Sequence, residues 1–505
     1  MLNSIKISLK DTLIYGMGNI AVKLVGLILI PLFTNPEFFS VDEFGIMGLL
    51  DISGLVLITV ITFFLPQSFT RWYWDKEQKD NQKGLFFLTF ITQVVISVLF
   101  CLLLLPFSGS FSGLLFDKAD YSRVISLVIL ASAFQAINNV INTKMRLQSK
   151  PTLYIITNIS KLVVVLTLTL YFILSEKMGL EGIYLAQLIG NCLYVLALLG
   201  YIVKNSVIYF DFRVFREMNI YGIPLFLGSL AAVALNVVDR YALNSLSLLK
   251  YVALYTLAIK LTNVLKIVIV DSVRFAVGPI ILKRMDAADN RRFYAKILLY
   301  TSYVLMFSVV AISAFSLEII QVITKSDEFR SAVIIIPILS FSVFFVNMKE
   351  VTIYGLHIAK KSRIMGLLVV FATALSIILN ILMVPVWDIK GAAMATLISQ
   401  VFYWFSCYRF SQKSFYIPYE IKKIALIFIT GACLSYLSLL FNGLDLIPRI
   451  LLKIICVISF PFILYLFNFY EEIEIQTIKG FVAKWSDIKM LRRNLSSLKD
   501  IKEDM

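Results

Sequence analysis

Eight basic residues lie inside long apolar runs of this chain: Lys23, Lys161, Arg240, Lys260, Lys266, Arg274, Lys349 and Lys453. An ionisable group at the centre of a bilayer costs at least ~2.5–3.5 kcal/mol, so each needs a wet cavity, a partner or a route to the interface. Lys349 and Lys453 stand near the ends of their runs and can snorkel. Lys23 cannot. It is eleven residues from either end of the run 12–34, about 16 Å by helical rise, which is farther than a lysine stem reaches.

Helical spacing gathers these cations with other polar groups. At about 100° per residue, Thr12, Asn19, Lys23 and Thr34 fall on one face, with Gly16 and Gly26 beside them. In the run 251–277, Thr256, Lys260, Asn263, Asp271 and Arg274 share a sector of about 80°. In 219–243, Ser229, Asn236, Asp239 and Arg240 cluster towards one end. Acidic residues nearby are few: Asp51, Asp239 and Asp271, with Glu318 and Glu350 at run ends. Asp239 can pair with Arg240 and Asp271 with Arg274, which leaves Lys23, Lys161, Lys260 and Lys266 without a sequence-local partner. A cavity with surplus cations suits an anionic guest, and pyrophosphate is the natural one. The candidate substrate-binding set is therefore Lys23, Lys260, Lys161, Lys266, Arg240 and Arg274, with Asn19, Asn236, Asn263 and Asp239 as polar lining. The alternative is that some of these cations pair across helices with acids that the sequence does not place.

The elements that must carry these residues follow from composition. The 505 residues are 59% apolar and 16% charged, well below the charged share of a soluble domain. Runs of about twenty apolar residues, each able to cross ~30 Å of hydrocarbon, recur along the chain at 12–34, 44–66, 84–106, 121–142, 152–175, 181–204, 219–243, 251–277, 293–316, 331–350, 364–386, 390–408, 424–441 and 448–469. The loops between them are short. The fold expected is an all-α polytopic membrane bundle of about fourteen helices. The first run is too long for a signal-peptide core, so no cleavable leader is expected.

Several kinds of chemistry find no support. Cys101, Cys192, Cys407, Cys433 and Cys456 all lie in apolar runs without C-x-x-C spacing, and His357 is the sole histidine, so neither a disulfide framework nor a metal site is expected. Gly16 and Gly18 form no phosphate-cradling motif, and no cofactor is expected. Without a large extramembrane loop or a clustered Asp/Glu/Arg constellation, an enzyme such as a polymerase or glycosyltransferase is disfavoured.

Charge asymmetry orients the chain. With the N-terminus inside, clusters such as Arg71/Lys76/Lys79/Lys83, Lys144/Arg146/Lys150, Lys283/Arg284/Arg291/Arg292/Lys296 and Arg409/Lys413/Lys422/Lys423 all fall on the cytoplasmic side. The opposite side holds only Lys118, Arg123, Lys177, Lys250, Lys325, Arg330, Lys390 and Arg449. Both termini are therefore expected inside the cell, with Trp72 and Trp74 as inner and Trp387 as outer interfacial anchors. This asymmetry and the tail account for most of the net charge of +15, so nucleic acid is not an expected partner. In the tail, 471–505, Ile475, Ile478, Phe481, Trp485, Ile488 and Leu491 recur at helical spacing among Lys484, Lys489, Arg492 and Arg493. That pattern suits an amphipathic helix on an anionic inner surface.

An internal repeat is visible at an offset of 209 residues. Gly182, Ala186, Leu188, Ile189 and Tyr194 meet Gly391, Ala395, Leu397, Ile398 and Tyr403, and both runs carry a small residue at every fourth position, which lets helices approach closely. Tyr15-Gly16 and Tyr221-Gly222 open the two halves. The division expected is a six-helix lobe over 1–205, a second over 206–413, two further helices over 414–470 and the tail.

The stretches TLIYGMGNIAVKLVGLILIPLFT…DEFGIMGLL, YGIPLFLGSL…NVVDRYAL…YVALYTLAIKL and LNILMVPVWDIKGAAMATLISQ resemble the polysaccharide flippases of the multidrug/oligosaccharidyl-lipid/polysaccharide exporter superfamily. The resemblance runs over nearly the whole chain. It implies a V-shaped two-lobed bundle in the bacterial cytoplasmic (inner) membrane that carries undecaprenyl-pyrophosphate-linked O-antigen or capsule units outward. It also implies the lipid bilayer and the lipid-linked oligosaccharide as partners, with a polysaccharide polymerase and chain-length machinery alongside. The rival readings are a peptidoglycan-precursor flippase, which shares the substrate logic, and a cation/drug antiporter, against which the surplus of membrane cations counts.

Overall fold

The computed structural model describes residues 26–117, 119–274 and 290–476. Among these the chain is helical, with no strand. The helices used below are α1 (Val41–Thr62), α2 (Leu65–Tyr73), α3 (Gln82–Leu104), α4 (Ser122–Leu147), α5 (Pro151–Leu174), α6 (Gly179–Ala197), α7 (Phe212–Ala234), α8 (Val238–Leu246), α9 (Leu249–Leu265), α10 (Asn290–Ala314), α11 (Ile336–Thr352), α12 (Ser362–Ser414), α13 (Ile421–Leu440) and α14 (Leu446–Leu466). The chain divides into two compact units, one running to Tyr419 and the other from Glu420 onward.

Twelve helices among the described residues are long and apolar enough to cross a membrane. One of them, α12, has 53 residues, about 80 Å at ~1.5 Å per residue, which is enough for two crossings. It breaks at Asp388, whose φ of 45° and ψ of −126° are not helical, between the two runs expected at 364–386 and 390–408. The run expected at 12–34 falls mostly outside the described residues, as do Asn19, Lys23 and nearly all of the expected amphipathic tail.

Local sequence explains where helices begin. Ser40 and Glu43 form a reciprocal capping box at α1, so two of its orphan amides are satisfied. Asp211 caps α7 by accepting from the amides of Val214 (3.3 Å) and Arg213 (2.8 Å). Those donors hold its carboxyl below the ordinary value, and this contribution is lost as pH falls through the depressed pKa. The run expected at 219–243 is interrupted at 235–237 between α7 and α8. There the Asn236 amide folds back to donate to Ala232 O (2.6 Å), the local competition that makes asparagine a poor helix interior residue.

Packing follows the bilayer logic. Val95, Val98, Leu99, Leu102 and Leu103 of α3 are exposed, as are Ile156, Val163 and Leu174 of α5. Side chains of this kind are stable facing lipid and not water. Inside, helices are joined by amides and hydroxyls: Gln93 Nε2 donates to Ile61 O (2.9 Å), and Tyr194 Oη donates to Asn142 Oδ1 (2.7 Å). Small residues allow the closest approaches, as the stripe in the sequence suggested. A Cβ at Gly190 would lie 2.3 Å from Val165 Cγ2 of α5. Positive φ angles occur at Ser149 and Lys360 (52° and 56°) and at Lys177 and Asp388 (52° and 45°), each pair 211 positions apart.

Three lysines sit differently from expectation. Lys144 is not a loop cation. It is buried near the end of α4 with Nζ 4.7 Å from the Tyr73 ring centroid, 5.4 Å from Phe86 and 6.0 Å from Phe69, and it donates to Gln82 O (3.2 Å). Aromatic faces replace the lost hydration. Lys349 does not need to snorkel, because it pairs with Glu350 (2.5 Å) above the Tyr403 ring (5.3 Å). In the second unit Lys453 is fully buried and donates to Asn442 Oδ1 (2.7 Å). Replacing Lys144 by methionine keeps the stem and removes the charge. The expected loss is about 1–2 kcal/mol, read as a lower temperature of thermal inactivation. An unchanged temperature would show that the aromatic cage contributes nothing.

Candidate functional site

Two cavities of the first unit meet at one ion pair. Lys260 on α9 points at α1, where its Nζ lies 3.6 Å from Asp51 Oδ2, with the rings of Phe44 and Phe33 at 5.6 and 5.9 Å. This contact is possible because α1 and α9 lie close together. A Cβ at Gly48 would meet Thr256 Oγ1 at 2.3 Å, and one at Gly45 would meet Leu249 O at 2.8 Å.

On the α9 side of the pair, a cavity of about 340 Å³ is lined by Lys260, Asn263, Lys266, Ile267 and Asp271, with Gly26 and Leu27. Three of the expected site residues thus meet on one wall: Lys260, Lys266 and Asn263. The sole carboxylate on that wall among the described residues, Asp271, is ion-paired with Arg274 (3.3 Å). Spacing alone placed Thr256 and Arg274 with Lys260, and the structure separates them. Thr256 is buried behind Gly48, while Arg274 borders a different small void with Glu350 and Tyr354. The physical reason lies partly in the π-turn at Lys266–Asp271, which shifts the register of everything beyond it.

On the other side of the pair, a cavity of about 430 Å³ opens among α1, α4 and α6. Asp51, Ser132, Gln135, Asn139, Tyr184, Gln187 and Asn191 provide its polar wall. Lys161 on α5 reaches this group, donating to Gln135 Oε1 (2.9 Å) and Asn191 Oδ1 (3.3 Å) with its ammonium 5.2 Å from the Tyr194 ring. Among the described residues no carboxylate is within ion-pair distance of it. The Tyr184 hydroxyl lies 3.1 Å from both Met47 O and Asp51 Oδ1. Reading the sequence for charges overlooked Gln135, Asn139, Tyr184, Gln187 and Asn191. Their spacing, four apart on α4 and three and four apart on α6, was the available signal.

Arg240 and Asp239 line neither of these cavities. Arg240 pairs with Asp239 (3.7 Å) and donates from Nη2 to Asn236 O (2.7 Å) at the break between α7 and α8. Asp239 is buried and accepts from Tyr255 Oη (2.7 Å) and Thr396 Oγ1 (3.4 Å). Asn236 is exposed at the same break. The pairs Asp239–Arg240 and Asp271–Arg274 are those that sequence proximity suggested, and Lys260 pairs across helices.

A bundle of membrane-crossing helices with charged and amide-lined internal cavities is a multi-pass membrane protein, and its fold is that of the multidrug/oligosaccharidyl-lipid/polysaccharide exporter superfamily. It superposes on the lipid II flippase MurJ in an inward closed conformation with a TM-score of 0.74 at 15% identity, covering 91% of this chain and 100% of that one. An inward-facing multidrug resistance MATE family transporter of the MOP superfamily matches with a TM-score of 0.65 at 12% identity, covering 84% and 99%. The chain belongs to the polysaccharide biosynthesis protein family, whose model matches residues 8–285. It is also 23% identical over 304 residues to an uncharacterized membrane protein of Methanocaldococcus jannaschii, an alignment spanning 56% of this chain and 58% of the relative's length.

Proposed function

We propose that this chain is a flippase that moves undecaprenyl-pyrophosphate-linked oligosaccharides from the inner to the outer leaflet for surface polysaccharide assembly. The observation that carries the reading is the wall bearing Lys260 and Lys266 with Asn263, whose carboxylate among the described residues, Asp271, pairs with Arg274. Two ammonium groups on one cavity wall suit a diphosphate. The glycan needs such a protein because its hydroxyls would be desolvated in lipid without replacement hydrogen bonds. The polyprenyl tail needs none and stays in the bilayer.

In this reading the work is translocation and not covalent chemistry. Two six-helix lobes, 1–205 and 206–413, rock about the site to alternate access. Positive-φ residues recurring between the halves support that division. The basic loops favour cytoplasmic termini in the bacterial inner membrane, where a polymerase and chain-length machinery would take up the delivered glycan.

The test is deletion of the gene in its host, followed by measurement of extractable undecaprenyl-pyrophosphate-linked sugar and surface polymer. The expected result is accumulated lipid-linked sugar with lost surface polymer, both reversed by the wild-type gene. Stalled peptidoglycan precursor with intact surface polymer would instead support the lipid II-type substrate. Unchanged sugars with altered drug sensitivity would overturn the reading in favour of an antiporter.

A further inference from the structure

Nothing in a diphosphate requires the second cavity, whose described lining carries six uncharged polar side chains and one carboxylate. Three helices each present one face to it. Asp51, Gly54, Leu55 and Ile58 come from α1, Gln135 and Asn139 from α4, and Tyr184, Gln187 and Asn191 from α6, all at spacings of three, four or seven that return to the same side of a helix. Its volume of about 430 Å³ lies within the range of small-molecule sites.

We infer that this amide-lined cavity is the glycan subsite, holding the sugar hydroxyls while the Lys260/Lys266 wall holds the diphosphate. The inference rests on the flippase reading above. Sugars present hydroxyls that both donate and accept; side-chain amides answer both needs, and a carboxylate adds a strong acceptor. Several groups here are set in place before any ligand arrives. Lys161 takes the carbonyl oxygens of Gln135 and Asn191, while Gln135 Nε2 donates to Asn139 Oδ1 (3.1 Å) and Asn191 Nδ2 to Ala131 O (3.1 Å). Those bonds leave a fixed array and not a floppy one, which lowers the ordering cost of binding.

Other groups stay available to a guest. Gln187 makes no side-chain hydrogen bond among the described residues, so its amide can both donate and accept. Asn139 Nδ2 reaches only Thr62 Oγ1, at 3.4 Å. The Asp51 carboxylate is partly open, with 39% side-chain exposure.

The electrostatics favour a neutral polyol over a cation. Lys260 already flanks Asp51, and Lys161 stands behind the amides. The same pair makes Asp51 and Lys260 the junction of the two subsites. A diphosphate drawing Lys260 towards the Lys266 wall weakens its hold on Asp51, which then accepts from sugar hydroxyls.

The test uses the purified full chain in nanodiscs and two probes, with binding read by native mass spectrometry. One probe is undecaprenyl diphosphate. The other is the same lipid carrying its glycan, extracted from host cells lacking the gene. Wild type is expected to bind the glycosylated lipid at least about tenfold more tightly. Gln187→Leu and Asn139→Leu should each remove most of that advantage, a loss of about five- to tenfold, with undecaprenyl diphosphate affinity held within about twofold. That retained affinity also reports a folded variant. Equal binding of both lipids by wild type, or undiminished glycan preference in both variants, would overturn the subsite and leave the diphosphate reading standing. Failure of wild type to bind either lipid would overturn the flippase reading and this inference with it.

Discussion

Reversing the charge at Lys260 is expected to abolish glycan export, with transport falling on the order of 100-fold. Lys260→Glu would set a second carboxylate beside Asp51, now 3.6 Å from the ammonium, and would turn one of the two basic groups on the cavity wall acidic. The measurement is surface polymer and accumulated lipid-linked sugar in deletion cells complemented with each variant at matched membrane expression. Lys260→Arg, which keeps the charge, should retain much of the activity. The exchange Asp51→Lys with Lys260→Glu separates two roles. If the pair serves only to hold α1 against α9, the exchange restores export. If Lys260 meets the diphosphate, the exchange leaves export lost, because the positive charge has moved to the other cavity. Full activity of Lys260→Glu alone would remove this residue from the site.

The second large effect concerns the turn inside α12. A Cβ at Gly391 would lie 2.2 Å from Met383 O, 2.6 Å from Met383 C and 3.0 Å from Val384 N. All three are backbone atoms of the segment just before the positive-φ break at Asp388, so no side-chain rotation relieves the overlap. Gly391→Ala is therefore expected to destabilise the protein by about 3 kcal/mol or more. The readout is the yield of monodisperse protein in detergent and its thermal inactivation. Gly366→Ala is the control. It lies in the same helix with nothing within 4 Å of the added Cβ, and alanine is the better helix former by ~1 kcal/mol. If Gly391→Ala behaved like Gly366→Ala, the close packing at this turn would be refuted.

Hydropathy alone located the crossings, because a segment that must satisfy its own backbone in lipid has to be helical and apolar for about twenty residues. The runs expected from 44–66 onward each coincide with a described helix to within a few residues at most ends. The clear departures are local. One run divides at 235–237, where Asn236 competes with the helix for a carbonyl, and α12 merges two runs across Asp388. The small-residue stripe was also legible, since only glycine permits the approaches seen at Gly182, Gly190 and Gly391.

The site was legible in part. Charge in an apolar run is expensive, so Lys161, Lys260 and Lys266 declared themselves in one dimension, and adjacency identified the pairs Asp239–Arg240 and Asp271–Arg274. Amides are cheaper to bury and raised no such flag, so the array of Gln135, Asn139, Gln187 and Asn191 went unseen. Lys144 misled in the other direction. A basic residue at a run's end looks solvated, yet Phe69, Tyr73 and Phe86 from two other helices enclose it.

What this sequence determined by itself is one-dimensional: which segments are long and apolar enough to cross a bilayer, and which residues cannot rest in lipid unaided. Which cations share a cavity was decided only by tertiary structure. A π-turn at 266–271 altered the helical register, and α1 came close enough to α9 for Asp51 to reach Lys260. Partners across helices depend on distances that no spacing along a single helix contains.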